Sequence, residues 1–255
     1  MTTLTFLCPL ICDKTILRPK PEEPFRLRLV AEKEFAEEEW TVDAIEIVKR
    51  EWIRPRSIFR AQIKRPNDPP LDVVLKMDFW GSRREELVHE ANVYQGVGRE
   101  LCADVLPAFY GCFQTEINST IVTCLVLEDC GEPMMKPLDE MNGHFQSELL
   151  KAVHAIHKKG LEHGDIYPCN ILVVDGHPVL IDLKFSKPHE CGLRMKLVCG
   201  TLTPTEEEYG CNELYDLICR MGHWRTSKHP FHGGLFSRFI RCPVVLQGLH
   251  PEKLS

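Results

Sequence analysis

Within EHGDIYPCNILVVDGHPVLIDLKFSK, residues 162–187, two aspartates and an asparagine stand in an order that suits one kind of chemistry. His163, Asp165 and Asn170 fall in a short polar stretch. Two apolar runs follow, and Asp182 ends the second. Transfer of a γ-phosphate needs one carboxylate to orient an attacking hydroxyl and take its proton. It also needs a carboxamide and a second carboxylate to hold a magnesium-bound nucleotide. Taken singly, Asp165 and Asn170 could cap a turn and Asp182 could cap a strand end. Their joint order carries the reading.

The elements that must position these residues are legible around them. HFQSELLKAVHAIHKKG has apolar residues at 145, 149, 153 and 156, close to helical spacing. Lys158 and Lys159 stand where a helix C-terminus favours cations, and Gly160 stops it. The runs NILVV and PVLID flank Asp175-Gly176, a strong hairpin signal. Upstream, VDAIEIV, RSIFRAQI and DVVLKMDF read as strands, with KRPNDPP as a turn between the last two. SRREELVHEANVYQGV shows a helical stripe at Leu87, Ala91 and Tyr94, and FYGCFQ and TIVTCLVLEDC read as further strands. The pattern predicts a small, mostly antiparallel sheet with one helix, followed by a mainly helical second half in which TEEEYGCNELYDLICRM supplies another helix. Residues 1–41, with the charged runs LRPKPEEP and EKEFAEEE, read as an N-terminal extension ahead of a domain spanning 42–255.

Composition bounds the classes. The chain has 255 residues, 44% of them hydrophobic, and a net charge of −6, which gives no general attraction to nucleic acid or an anionic membrane. The N-terminus MTTLTFLCPLICDK is broken by Pro9 and has no basic residue ahead of its apolar part, so no signal peptide is expected, and no apolar run is long enough to span a membrane. There are 12 cysteines, scattered and without a C-x-x-C pair. They read as buried, reduced thiols, with His189, Cys191 and Cys199 as the one group that could reach a common ion. Reduced thiols and no export signal point to the cytoplasm or nucleus.

The order and spacing of these motifs resemble the protein-kinase-like fold over about residues 42 to 225. The resemblance implies an α+β, two-lobed molecule. A small antiparallel-sheet N-lobe would cover about 42–129, and a short, mainly helical C-lobe about 130–255. Val73-Val74-Leu75-Lys76 is similar to the strand carrying the lysine that contacts the α- and β-phosphates of ATP. Glu90 would be its helix partner, with Glu86, one turn earlier, as the alternative. Leu127-Glu128-Asp129-Cys130 looks like the hinge, with Leu127 guarding the pocket and Glu128 and Cys130 offering backbone hydrogen bonds to adenine. Asp165 matches the catalytic base. Asn170 and Asp182 match the Mg ligands, and His163 matches a residue that braces the loop.

The chain departs from the family pattern at four places. The stretch KREWIRPRS, where a phosphate-covering loop belongs, has no glycine; Arg54 and Arg56 offer charge there instead. The metal motif reads Asp182-Leu183-Lys184, with lysine where the family has glycine. Gly164 and Tyr167 replace the arginine and lysine usual in protein kinases, so that His-Gly-Asp is closer to aminoglycoside and choline phosphotransferases and to small atypical kinases. No Ala-Pro-Glu segment is present. Three readings follow: a phosphotransferase using ATP and Mg on a hydroxyl of a protein serine or threonine; a pseudokinase that binds partners; or a small-molecule kinase. The expected partners are a nucleotide and a protein substrate or binding partner, with neither nucleic acid nor membrane.

Overall fold

The structure, a computed structural model, describes residues 2–6, 10–12, 15–17, 25–30, 38–50 and 56–225. The described chain divides into two compact units, one holding residues up to 103 together with 107–129, the other 104–106 together with 130–225. Among the described residues, no helix is long and apolar enough to cross a membrane.

Among the described residues the first unit has nine strands: β1 (Thr3–Phe6), β2 (Leu10–Cys12), β3 (Thr15–Leu17), β4 (Phe25–Leu29), β5 (Glu39–Arg50), β6 (Arg56–Lys64), β7 (Leu71–Asp78), β8 (Phe109–Ile117) and β9 (Thr120–Glu128). Helix α1 (Arg84–Gln95) lies between β7 and β8 in sequence. Among the described residues β2 and β3 pair with each other, and the other seven strands close into a barrel in the order β1-β4-β8-β9-β7-β6-β5. Alternation explains the barrel interior. Phe59, Ala61 and Ile63 of β6 and Val73, Leu75 and Met77 of β7 all point into one core, with Val126 and Cys124 of β9. β9 is buried over most of its length because α1 packs on its other side.

The small, mostly antiparallel sheet expected from the sequence is a closed barrel, and Thr3–Phe6 and Phe25–Leu29, inside the stretch read as an extension, are strands of it. Five strands, β8-β9-β7-β6-β5, are those the sequence predicts, and such a sheet would leave β8 and β5 as bare edges. β4 pairs antiparallel with β8, and β1 pairs antiparallel with β4 and parallel with β5, so both edges are covered. Leu4, Phe6 and Leu27 enter the core fully buried. The segments TLTF and FRLRL are too short to announce themselves beside charged, proline-containing neighbours, and they become strands because the two edges supply hydrogen-bond partners.

The second unit begins from α2 (Gly143–Lys158). Asn142 caps it, its side chain accepting from the Phe145 N–H at 2.9 Å. Phe145, Leu149, Val153 and Ile156 form its buried stripe, as the spacing predicts. Then come β10 (Leu161–Glu162), a single 3-10 turn at Pro168–Asn170, and the hairpin of β11 (Ile171–Val174) and β12 (His177–Leu180). Asp175 and Gly176 both take positive φ, 50° and 83°, the two-residue turn that suits the twist of a hairpin. A 3-10 turn at Leu183–Phe185 leads to β13 (Lys187–Pro188), which pairs back onto β10. α3 (Glu206–Tyr209) and α4 (Asn212–Arg220) complete the described chain.

Because Leu27 is fully buried in the barrel core, Leu27→Ala is expected to cost about 2–5 kcal/mol of stability. Urea unfolding of the full chain checks this; a cost below about 0.5 kcal/mol, the range of surface substitutions, would mean that β4 is not a core strand.

Candidate functional site

Period-two geometry places Lys76. Val73, Leu75 and Met77 face the barrel core, so Lys76 and Asp78 face the other side of β7. Asp78 is fully buried, and its carboxylate accepts the Trp80 N–H at 3.1 Å and the Arg83 N–H at 2.9 Å. That contact holds the start of α1 against the end of β7. Two turns along, Glu90 meets Lys76, with Nζ 2.7 Å from Oε1 and 3.0 Å from Oε2. Both side chains are buried. Glu86, the alternative partner, is instead gripped by the guanidinium of Arg83 at 3.0 and 2.7 Å. The end of β9 is also fixed. The Glu128 N–H donates to the Ala108 carbonyl at 2.9 Å, so what Glu128 could offer a ligand is its own carbonyl. Asp129 is held by Arg60 at 2.8 Å. Cys130, the last residue of the Leu127–Cys130 stretch, belongs to the second unit and is half-buried. Of the segment proposed to cover phosphates, residues 51–55 and the side chain of Arg56 lie outside the described residues.

In the second unit, the loop between β10 and β11 brings Asp165 and Asn170 together. Asn170 Nδ2 donates to the Asp165 carbonyl at 2.9 Å and to Asp165 Oδ2 at 2.8 Å. The amide nitrogen is thereby committed, and Oδ1 is the atom of Asn170 suited to face a cation. The Ile181 N–H donates to the Asn170 carbonyl at 3.0 Å, tying this loop to the end of β12, where Asp182 follows. Asp182 takes the left-handed conformation, φ 70° and ψ 63°, which an aspartate tolerates better than most residues. His163 is fully buried, its Nε2 bonded to the Ile181 carbonyl at 3.1 Å. Burial pushes its pKa down against the opposing pull of Glu213, so it is neutral and donates that bond.

Two features were beyond sequence reasoning. Glu213, in the first turn of α4, accepts the backbone N–H of Gly164 at 2.6 Å and of His163 at 3.2 Å, and meets His157 Nε2 at 2.7 Å. Burial alone would raise its pKa, but the hydrogen bonds from His157 and Gly164 win and hold it low. A glutamate in a helix's first turn is ordinary, and nothing local marks this one. Arg220, on the last turn of α4, donates to the Ile166 carbonyl and lies 5.0 Å over the Tyr167 ring. The residue that stands where the family has lysine is therefore covered by an arginine from elsewhere.

Lys184 reaches both aspartates. Its ammonium is paired with Asp182 Oδ2 and lies 3.9 Å from Asp165 Oδ2. The two carboxylates assigned to metal and proton transfer thus share a cation supplied by the chain. Gly164 is explained by packing. Its φ is 79°, and a Cβ there would stand 2.5 Å from the Phe185 carbonyl oxygen. An arginine at this position could not be accommodated without moving the Leu183–Phe185 turn.

No protein-family model matches the chain. Curated relatives match in segments. A 58-residue stretch is 41% identical to serine/threonine-protein kinase AtPK2/AtPK19 of Arabidopsis thaliana, covering 22% of this chain and 12% of that protein. An 80-residue stretch is 48% identical to dual specificity protein kinase Ttk of Danio rerio, covering 28% of this chain and 8% of that protein. A 126-residue stretch is 28% identical to sperm motility kinase 2B of Mus musculus, covering 46% and 26% respectively. These matches support a protein-kinase-like relationship. The chain spans about a quarter of the length of such relatives at most.

Two outcomes are expected. Breaking the buried pair with Lys76→Met or Glu90→Leu alone should cost about 3–5 kcal/mol, whereas the double substitution should recover much of it, because the single changes leave an uncompensated buried charge; a double-mutant cycle by chemical denaturation measures the coupling. Gly164→Ala should destabilise by at least about 1 kcal/mol, from the positive φ and the contact with Phe185, and a neutral result in the same assay would contradict that contact.

Proposed function

We propose that this chain is an ATP-dependent phosphotransferase of protein-kinase-like type, with two lobes, that moves the γ-phosphate of ATP to a hydroxyl, the acceptor being a protein serine or threonine. The observation that carries this is the buried Lys76–Glu90 pair. Burying an ammonium and a carboxylate costs more than apolar residues of the same size would, so stability does not account for them. A lysine held extended by a glutamate, with its charge ready for phosphate oxygens, does.

In this reading Lys76 takes the α- and β-phosphates, and Glu90 fixes its position. Asp165 orients the acceptor hydroxyl and takes its proton, its carboxylate held in place by Asn170 Nδ2. The Asp182 carboxylate and the Asn170 amide oxygen are hard oxygen donors, the kind that Mg favours. When bound, Mg would neutralise charge on the phosphates. Glu128 and Cys130 would supply the backbone contacts to adenine. Gly164 is accounted for by its approach to Phe185, so it does not by itself point to a small-molecule acceptor.

A second reading, a pseudokinase acting as a binding module, is favoured by Lys184. Its ammonium lies against Asp182 and near Asp165, where it competes with a divalent cation for the same carboxylates. On either reading Lys184 weakens metal binding, and the two differ in whether turnover survives.

The test is a pair of measurements on the full chain. Mg-ATP at about 100 times its dissociation constant should stabilise by about 2.7 kcal/mol in a thermal-shift titration, and Lys184→Gly should lower the Mg concentration needed. Asp165→Asn should keep that shift while autophosphorylation falls by about 10²–10⁴-fold. Equal autophosphorylation in parent and variant would remove Asp165 as the base; a Mg-ATP shift without turnover in either would select the pseudokinase.

A further inference from the structure

The sequence suggests His189, Cys191 and Cys199 as a loose metal candidate, and the fold rearranges that set. Cys199 Sγ is 3.5 Å from His223 Nδ1 and belongs to a different contact. His189 and Cys191 are joined instead by His157, from the last turn of α2, and Cys211, at the N-terminus of α4. One ligand atom from each of His157, His189, Cys191 and Cys211 lies within 4.8 Å of the others. We propose that these four side chains form a tetrahedral site for a structural zinc ion that holds the second unit together beneath the Asp165 loop.

The separations fit. Zn–S bonds of about 2.3 Å and Zn–N bonds of about 2.0–2.1 Å place sulfur and nitrogen about 3.5 Å apart at tetrahedral angles. Cys211 Sγ is 3.5 Å from His157 Nδ1 and 3.8 Å from His189 Nε2. Two thiolates and two imidazoles are the donor set that selects zinc over magnesium or calcium, and four protein ligands leave no open position, as in structural sites.

The strongest argument is what lies behind the histidines. Each turns one ring nitrogen toward Cys211 and presents the other to a carboxylate. His157 Nε2 meets Glu213 at 2.7 Å, and His189 Nδ1 lies 3.5 Å from Glu162. A carboxylate on the far nitrogen fixes the tautomer and aims the near lone pair, which is how zinc-bound histidines are supported. A chance gathering of buried cysteines, acting only as small hydrophobes, has no need of two oriented imidazoles with two carboxylates behind them. The same two glutamates flank the functional loop: Glu162 immediately precedes His163, and Glu213 binds the His163 and Gly164 N–H groups. The ion would thus brace the loop through Glu213. The site stands on its own geometry and does not depend on the phosphotransfer reading.

The full chain, expressed with zinc and purified without chelator, should carry about one zinc per molecule by elemental analysis. Metal-free protein titrated with Co²⁺ should develop the d–d bands of a tetrahedral S₂N₂ centre and a thiolate charge-transfer band. Cys191→Ser and Cys211→Ser should lose at least about tenfold in affinity, Glu213→Gln about 10–100-fold, and Cys199→Ser should match the parent. The Co²⁺ spectrum is read on the parent chain, so it decides the question even if a variant fails to fold. The proposal is overturned by less than about 0.2 zinc per chain with no charge-transfer band on adding Co²⁺. It is equally overturned by an unchanged zinc affinity in folded Cys191→Ser, or by a Cys191–Cys211 disulfide in a non-reducing peptide map.

Discussion

The second unit depends on one buried carboxylate. Glu213 accepts two consecutive backbone N–H groups, from His163 and Gly164, and holds His157 at the same time. His163 is fully buried, so its N–H must find an acceptor, and Glu213 supplies one while also taking the exposed Gly164 N–H. The turn exists because α4 delivers an anion to it. Its shape in turn puts Asp165 where Asn170 can hold it, and lets the Phe185 carbonyl approach Gly164. Remove the carboxylate and the loop loses its anchor at the residues immediately before the proposed base.

That dependence recasts the departures from the protein-kinase pattern. Gly164 is a steric requirement of the Leu183–Phe185 turn, whose Phe185 carbonyl stands against it. Tyr167 is stacked under Arg220, which also binds the loop backbone at Ile166, so a positive charge arrives from α4 although the loop itself has none. Lys184 pairs with Asp182 and lies 3.9 Å from Asp165 Oδ2. Two carboxylates close together repel, and a neighbouring ammonium relieves that repulsion at the expense of a competing divalent cation.

In the first unit the determining constraint is closure. A five-stranded sheet with bare edges would be open to pairing with other chains, and β1 and β4 remove both edges. The same barrel explains the position of Lys76. Its neighbours along β7 are committed to the interior, so the lysine must face α1, where Asp78 has fixed the helix start and Glu90 follows two turns on. Glu90 rather than Glu86 is selected because Arg83 takes Glu86 first.

Wherever the signal was periodic or local, it was readable from the residues alone. The apolar stripe of α2, the Asp175-Gly176 hairpin and the strand alternation around Lys76 are all properties of near neighbours along the chain, whereas the order Lys76, Glu90, Asp165, Asn170, Asp182 is read through its resemblance to the protein-kinase pattern. Short segments such as TLTF and FRLRL were not readable, because a four- or five-residue strand acquires its identity from the edge it joins. Nor were Glu213, the reach of Lys184 as far as Asp165, or the gathering of His157, His189, Cys191 and Cys211, whose members are up to 54 residues apart. The residue types and their order are enough to propose which side chains would serve a nucleotide and a metal. Which of them meet is a matter of packing, because long-range contacts depend on how helices and strands come together, and no spacing along the chain records that.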